Sequence, residues 1–492
     1  KFVGNFDVLP SNLPGKGGYA GWEGLQTGAV KSSPNEDKET YFQGDLTIDV
    51  DAGVFKSVKT GVRYTDHDVL TLQNVGLFAN FNGDAAAADK GGDYFTTGKT
   101  LTAGLDHWKV AAPDVNHMLS YTKANLSGWA VDRSAYSTIN EKNSSFYVMG
   151  NFEAEGIRGN LGFRYINTDA ASDYYAPKPG STTNGLATNA NYATTLSTAK
   201  ASYDDVLPSF NVAFDLSKDL ILRASAAKVM TRANYNDMFA HTTIAGYDDN
   251  TPDNGRITTG NIGLLPFTSN QADIGVEWYF AEGSIASLAY FTKSVQNFTT
   301  TSTLLNQKAG VTDPDNDPSK ADNWTINTIK NGNQGDIDGI EFQLQHTWAS
   351  GFGGIFNYTY ADASADKSNY SDGNGVMSDS SKNSINLVGF YENDTLSARA
   401  AYNWRSAYFI RETGFYGNRE AKAFGSLDLS FSYHVTSFAT LTFDASNVLK
   451  EDSVQVGKDR GATAVTSYTS YNYPEASYEG ESRYTVGVNF KF

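Results

Sequence analysis

Three groupings of side chains in this sequence are able in principle to do chemistry. Asp66-His67-Asp68 and Asp106-His107 set an imidazole beside carboxylates, the raw material of acid–base catalysis. Such a pair needs a positioned nucleophile or an activated water, and nothing here specifies either. No His-Glu-x-x-His, Walker A loop, dinucleotide glycine motif or nucleophile elbow occurs, and the six histidines are scattered, so an enzyme is not expected. Asp313-Pro-Asp315-Asn-Asp317 spaces three carboxylates in the style of a calcium loop, because Ca²⁺ prefers several hard oxygen ligands. It lacks the glycine at position six and the distal Glu of an EF-hand, so Asp313, Asp315 and Asp317 are metal candidates against the commoner use as a solvated acidic loop. Asp248, Asp249 and Asp253 are equally ambiguous. The third grouping is aromatic: Tyr247, Trp324, Tyr408, Tyr416, Tyr468 and Tyr471, in polar segments that also hold Arg411. Rings of this kind stack on the apolar faces of sugars while Asp, Asn and Arg bind hydroxyls, although for any single ring loop packing is the commoner use.

The elements that must carry these residues read as strands. Glycine at 46 and tyrosine and phenylalanine at 29 each, with abundant Thr, Ser, Asn and Asp, favour strands joined by polar loops. The formal charge of −17 leaves no basic face for phosphates, so no nucleic-acid partner is expected. Cysteine is absent, which removes thiolate metal sites, Cys nucleophiles and disulfides. No run of 18 apolar residues exists, which excludes a helical membrane span. The mean hydropathy of −0.41 reads superficially as soluble, but a transmembrane barrel shows only every second residue to lipid and keeps a low average.

Period-2 alternation recurs in segments of about ten residues, as in a barrel wall. Phe42, Leu46, Ile48 and Val50 alternate with Gln43, Asp45, Thr47 and Asp49; Ile340, Phe342 and Leu344 alternate with Glu341, Gln343 and Gln345. The same split recurs at 396–405, 426–433 and 484–492. Arg or Lys facing lipid near the midplane costs about 2–4 kcal/mol, so Asp45, Asp49, Arg223, Glu277, Glu341 and Arg399 belong on an inner, polar face. Trp278, Trp348 and Trp404 near strand ends fit interfacial girdles.

Connections alternate between very short and very long. The short ones include Asp51-Ala52-Gly53, Glu155-Gly156 and Ala281-Glu282-Gly283; the long ones cover approximately 66–143, 168–202, 232–269, 299–334, 363–381, 406–421 and 449–478. A soluble β-sandwich has no reason for this asymmetry, whereas outer-membrane barrels combine tight periplasmic turns with long extracellular loops. Pairing across the short turns predicts an all-β, antiparallel transmembrane barrel of about 15 strands, beginning near Tyr41 to Val50, with 1–40 as an extracellular loop segment and 41–492 as barrel. A strand near Ala20 to Val30 would raise the count to about 16 and allow a passive porin, and loop 66–143 has room for an extra hairpin at Thr97 to Trp108. An odd count predicts that the chain begins part-way round the wall.

Several segments resemble TonB-dependent receptors, in particular the proteobacterial branch that includes carbohydrate transporters. They are Leu207 to Arg232 (LPSFNVAFDLSKDLILRASAAKVMTR), Gly260-Asn261 with Leu264-Leu265-Pro266 and Ala272 to Phe280, then Ser381 to Tyr391, Ala398 to Arg405, Asn447 to Leu449 and Arg483 to Phe492. The match covers 203–492, with weaker similarity at 41–65. The family often has Pro after the Thr-Arg pair and after Gly-Asn, where this chain has Ala233 and Ile262. The resemblance implies a barrel of about 22 strands with a plugged lumen. It further implies energy coupling to the TonB-ExbB-ExbD complex through a plug that precedes the barrel and is not visible here. The expected partners are outer-membrane lipid, the barrel assembly machinery, which would read Phe492 as a terminal signal, and a small-molecule or oligosaccharide ligand. Import of a carbohydrate through the bacterial outer membrane is the implied function, with a siderophore or cobalamin as the alternative ligand and a passive porin as the alternative activity.

Overall fold

The computed structural model describes residues 31–78, 95–103, 108–113, 126–180, 188–246, 251–370, 375–411, 418–457 and 474–491, with isolated positions between 114 and 125. Fifteen strands form one continuous antiparallel sheet in chain order. They are β1 (Glu36–Ala52), β2 (Phe55–Thr71), β3 (Ser137–Ala154), β4 (Ile157–Tyr174), β5 (Ser197–Ser217), β6 (Leu220–Thr231), β7 (Phe267–Ala281) and β8 (Ser284–Gln296). The others are β9 (Gly335–Thr347), β10 (Phe352–Ala365), β11 (Asn383–Glu392), β12 (Leu396–Arg405), β13 (Phe424–Thr436), β14 (Ala439–Ser446) and β15 (Arg483–Phe490). The strand count matches the one read from the alternation of turns and loops. Among the described residues β1 and β15 are not paired with each other.

Tight turns close one end of the sheet. Gly156 and Gly283 take φ of +72° and +64°, the left-handed conformation that glycine adopts without steric cost, so two residues suffice to reverse the chain. The strand register then carries the alternation across the wall. One row runs Asp49, Ser57, Asn151, Asn160, Asn211, Ser225 and Asp273 from β1 to β7. Another runs Arg223, Gly275, Ala289, Glu341, Thr359, Ser384 and Arg405 from β6 to β12. Asp45, Asp49, Arg223, Glu277, Glu341 and Arg399 all fall on this polar face, as expected. On the opposite face Phe42, Leu46, Val62, Phe163, Ile274, Leu288, Ile340, Leu387 and Val486 are exposed, which suits hydrocarbon as the surrounding medium.

The apolar belt has a sharp upper limit. Gly44, Val62, Phe146, Tyr165 and Val206 form one outward row; two rows nearer the long loops the outward residues are Thr40, Asp66, Lys142, Asp169 and Ser202. The first five strands span 17 to 21 residues, whereas β11, β12, β14 and β15 span 8 to 10, so one side of the wall projects further beyond the belt. This projection corrects the start of the first strand to Glu36: Glu36, Lys38 and Thr40 stand above lipid, where alternation of apolar residues has no purpose. Trp278 and Trp348 are exposed near the short-turn end and Trp404 lies near the other, consistent with girdles at both rims.

The long connections are more structured than expected from their composition. Thr242–Ala245, Arg256–Thr259, Trp324–Asn331 and Thr299–Gln307 make a four-stranded sheet from two separate loops. Tyr408–Ile410, Arg419–Ala421, Ser453–Gly457 and Pro474–Tyr478 make another, and Lys31–Ser32 joins Asn74–Phe78 and Leu126–Val131 in a third. The hairpin expected at Thr97 to Trp108 is present as Phe95–Ala103 paired with Trp108–Pro113, outside the wall. The strand considered near Ala20 to Val30, and Phe492, lie outside the described residues.

Candidate ligand-binding site

Inward-facing polar residues of the low side of the wall line the strongest candidate site. Register brings Asn357 of β10, Asn386 of β11 and Asn403 of β12 into one row. Asn357 Nδ2 donates to Asn386 Oδ1 at 3.3 Å and Asn386 Nδ2 donates to Asn403 Oδ1. A carboxamide has two N–H donors and two acceptor lone pairs on its oxygen, so such a ladder leaves donor and acceptor capacity turned to the lumen. In the next row toward the loops, Thr359, Ser384, Arg405 and Phe424 stand side by side. Together these residues line a depression of about 300 Å³. A second depression of about 410 Å³ shares Asn403 and continues along Arg399, Asp428, Ser430, Asp444 and Arg483.

Arg405 is the hinge between this wall and the loops above it. Its guanidinium carbon lies 4.6 Å from the Tyr408 ring centre and 5.7 Å from that of Phe424, a cation–π arrangement that fixes the plane of the group. Its Nη1 is buried and donates to no described residue. A donor held rigidly beside a row of amides suits a neutral or anionic oxygen of a ligand.

The expected ligand residues divide. Tyr408 joins the site through Arg405. Arg411, three residues further on, is a loop staple: its guanidinium lies 3.4 Å from the Tyr370 ring centre and Nη2 donates to the Val376 carbonyl at 2.9 Å. Trp324 is 1 % exposed, packed with Ile257 and Val311, and its Nε1 donates to the Val311 carbonyl at 2.8 Å, so its ring is core to the loop sheet and offers no face to a ligand. Tyr247, Tyr416, Tyr468 and Tyr471 lie outside the described residues.

The acidic loop is organised by its own backbone. Asp313 is buried and its Oδ1 accepts from the Asp315 amide, while Asp317 Oδ1 accepts from the Ser319 amide and hydroxyl, bonds that hold the Asp317 carboxyl below the usual range. Among the described residues no group of three or more His, Cys, Asp and Glu side chains gathers in metal-binding geometry, so the three carboxylates do not converge as a calcium loop requires. The missed site residues, Asn357, Asn386 and Arg405, each show only a polar inner position in the sequence; their adjacency depends on register.

On the tall side a second polar constellation ties the connection after β6 into the mouth. Arg232 Nε lies 3.0 Å from Glu141 Oε1, and Arg232 Nη2 donates to Asn143 Oδ1 at 2.6 Å. Ala233, Met238, Phe239, Ile262 and Leu264 of the same connection bury themselves against Ile139 and Ala170 on the inner wall. Tyr235 follows, with Oη 2.9 Å from His67 Nδ1, and burial beside Glu141 pushes its hydroxyl well above the ordinary phenol range. Asp66 and Asp68, the carboxylates flanking His67 in sequence, face the other way, so no acid–base dyad forms from that tripeptide; both accept from Asn140.

Comparison with known proteins agrees with this architecture. A family model described as TonB dependent receptor-like, beta-barrel matches residues 2–448. No curated protein matches significantly. Among solved structures, the chain is similar to a ferric enterobactin receptor from Pseudomonas aeruginosa at 16% identity and a TM-score of 0.53, covering 93% of this chain and 62% of that one. It is similar to the ferric-catecholate import receptor from K12 E. coli at 14% identity and a TM-score of 0.55, covering 94% and 55%. It is also similar to a siderophore receptor from Acinetobacter baumannii at 15% identity and a TM-score of 0.55, covering 93% and 56%. At these identities the likeness is one of fold, and the chain spans less than two thirds of each of those structures. With the family description spanning nearly all the wall strands, the chain belongs to the TonB-dependent receptor-like β-barrels of the Gram-negative outer membrane.

Proposed function

We propose that this chain supplies wall and mouth to a receptor that captures a polyhydroxylated ligand, a carbohydrate or oligosaccharide, and passes it inward with energy delivered through TonB. The observation that carries the ligand class is the amide row of Asn357, Asn386 and Asn403 beneath Arg405, whose buried Nη1 has no partner among the described residues. Neutral donors and acceptors in a row match hydroxyl groups, which both give and accept hydrogen bonds. The aromatic rings of Tyr408 and Phe424 hold the arginine, and Phe424 borders the same depression. Five of the six polar residues lining this depression, Asn357, Thr359, Ser384, Asn386 and Asn403, are neutral, which suits a ligand that offers hydroxyl groups.

A siderophore is the second reading, favoured by the ligands named for the similar solved structures. The two are separated by calorimetry on the full-length receptor in detergent, titrated with maltooligosaccharides, chitooligosaccharides and xylooligosaccharides, and in parallel with ferric enterobactin and ferrichrome. The expected result is saccharide binding that weakens about tenfold to a hundredfold in Arg405→Ala, the usual loss for a hydrogen bond from a charged group. Binding of a ferric siderophore with no saccharide binding would overturn the carbohydrate reading and leave the receptor reading in place. Energy coupling is tested in cells: uptake that persists when the proton gradient is collapsed would point to passive diffusion.

A further inference from the structure

We propose that His67, Tyr235 and Glu141 form a proton-dependent latch that pins the connection after β6 against the tall side of the mouth, and that it is tightest when His67 carries both ring protons. The inference does not depend on which ligand the receptor binds.

The connection enters the lumen at Arg232 and lies against β3, β4 and β5, where its apolar residues fill the inner wall. Its polar root is short of donors. Glu141 is 1 % exposed and faces His67 directly across the β2–β3 pair. Its Oε1 takes the Asn143 amide at 3.0 Å and stands 3.0 Å from Arg232 Nε, while its Oε2 accepts no hydrogen bond from the described residues. The Tyr235 hydroxyl stands between two acceptors, 2.9 Å from His67 Nδ1 and 3.3 Å from Glu141 Oε1, and it has one proton to give. On the other side of the imidazole, Nε2 is 2.6 Å from Asp37 Oδ1.

Counting protons along this chain decides the direction. With neutral His67, Nε2–H donates to Asp37 and the Nδ1 lone pair takes the Tyr235 proton, so Glu141 receives nothing from Tyr235. When solvent adds one proton to Nδ1, Nδ1–H donates to Oη, and the tyrosine O–H rotates to Oε1. Every link, Asp37 to His67 to Tyr235 to Glu141, then has one donor and one acceptor. His67 faces Asp37 and Glu39 from β1 and Glu141 from β3, against Arg63, which pairs with Glu39, and Arg232 from the connection itself. Tyr203, on β5 beyond Arg232, is the other titratable group on this side, and burial pushes its phenol up. Asp37 is exposed to the mouth, which gives the proton a path from solvent. Histidine is the side chain whose charge ordinarily changes between pH 5 and 8, so the latch would respond to the acidity of the medium outside the cell.

The test is hydrogen–deuterium exchange of peptides covering 232–240 in the full-length receptor at pH 5.5 and pH 8, corrected for intrinsic exchange rates. His241→Asn is present throughout to remove the one histidine that the connection itself carries. The expected result is at least about tenfold greater protection at pH 5.5, the size of one recovered hydrogen bond to a charged group, with the difference lost in His67→Gln and in Tyr235→Phe. Heat-modifiable gel mobility identifies any variant that fails to fold, and the parent receptor's own pH difference stands as the primary readout. Equal corrected protection at the two pH values, or a difference that survives in His67→Gln but disappears in Glu141→Gln, would overturn the latch as proposed.

Discussion

At the scale of single residues, burial separates side chains that hold loops from those that can meet a ligand. Trp324 has the chemistry of a stacking platform, yet its ring is enclosed by Ile257 and Val311. Trp324→Ala should cost about 3–5 kcal/mol in local stability of the loop sheet, the usual range for a buried Trp, and should accelerate limited proteolysis within 299–331. The barrel itself should keep its heat-modifiable mobility. His241 makes a second prediction. It is half-buried next to Phe239, and desolvation holds its imidazole below the ordinary histidine range despite the nearby Asp132 carboxylate. A depressed native value means that the released connection binds protons more readily than the docked one. Its contribution to docking is therefore full above the ordinary value of about 6.5 and is lost as pH falls through the lower native value. Acid-induced loosening of 239–246, followed by exchange in a His67→Gln background, should diminish in His241→Asn; an unchanged profile would assign the effect elsewhere.

At the scale of elements, adjacent residues of one strand face different solvents, and neighbouring substitutions should differ accordingly. Ile340 is exposed on the lipid face of β9 while Glu341 belongs to the inner row with Arg223 and Arg405. Ile340→Lys should lower the unfolding free energy from lipid vesicles by about 2–4 kcal/mol in a urea titration, and Glu341→Lys by less than about 0.5 kcal/mol. Equal losses would mean that the faces are assigned wrongly. Gly339 shows a different constraint: a Cβ there would collide with the Phe291 ring on β8 and the Tyr360 carbonyl on β10. Glycine at this inner position leaves room for the Phe291 ring against the strand, so Gly339→Val should destabilise the β8–β9–β10 portion of the wall although valine is a good strand former.

At the scale of the whole molecule, the wall is tall on the side of β1 to β5 and low on the side of β11 to β15. The connection after β6 leans on the tall side, while Arg405 and the amide row occupy the low side. A receptor of this family should not behave as an open pore. Reconstituted full-length protein is expected to show little steady conductance in planar bilayers, whereas a large, unblocked conductance without any partner would favour the passive porin.

The sequence by itself determined the class of architecture. Alternation with period 2 follows from the two solvents a barrel wall meets, and the contrast of short and long connections follows from the two sides of a membrane, so strand number, facing and the inner position of Asp45, Glu277 or Arg399 were all legible. The segments from Leu207 to Arg232 and from Arg483 to Phe492 resembled the family directly. What only the tertiary structure decided is everything that depends on register between strands or on contact between distant loops. Asn357, Asn386 and Asn403 each look like ordinary inner-face residues until hydrogen bonding aligns them. His67 and Glu141 are neighbours through the β2–β3 pairing, and Tyr235 reaches them because the chain turns inward at Arg232. Trp324 reads as an available ring until a second loop covers it. Local propensity acts over a few residues, whereas these relations span tens of residues and are set when the sheet closes its ladders and the loops bury their remaining apolar surface against one another.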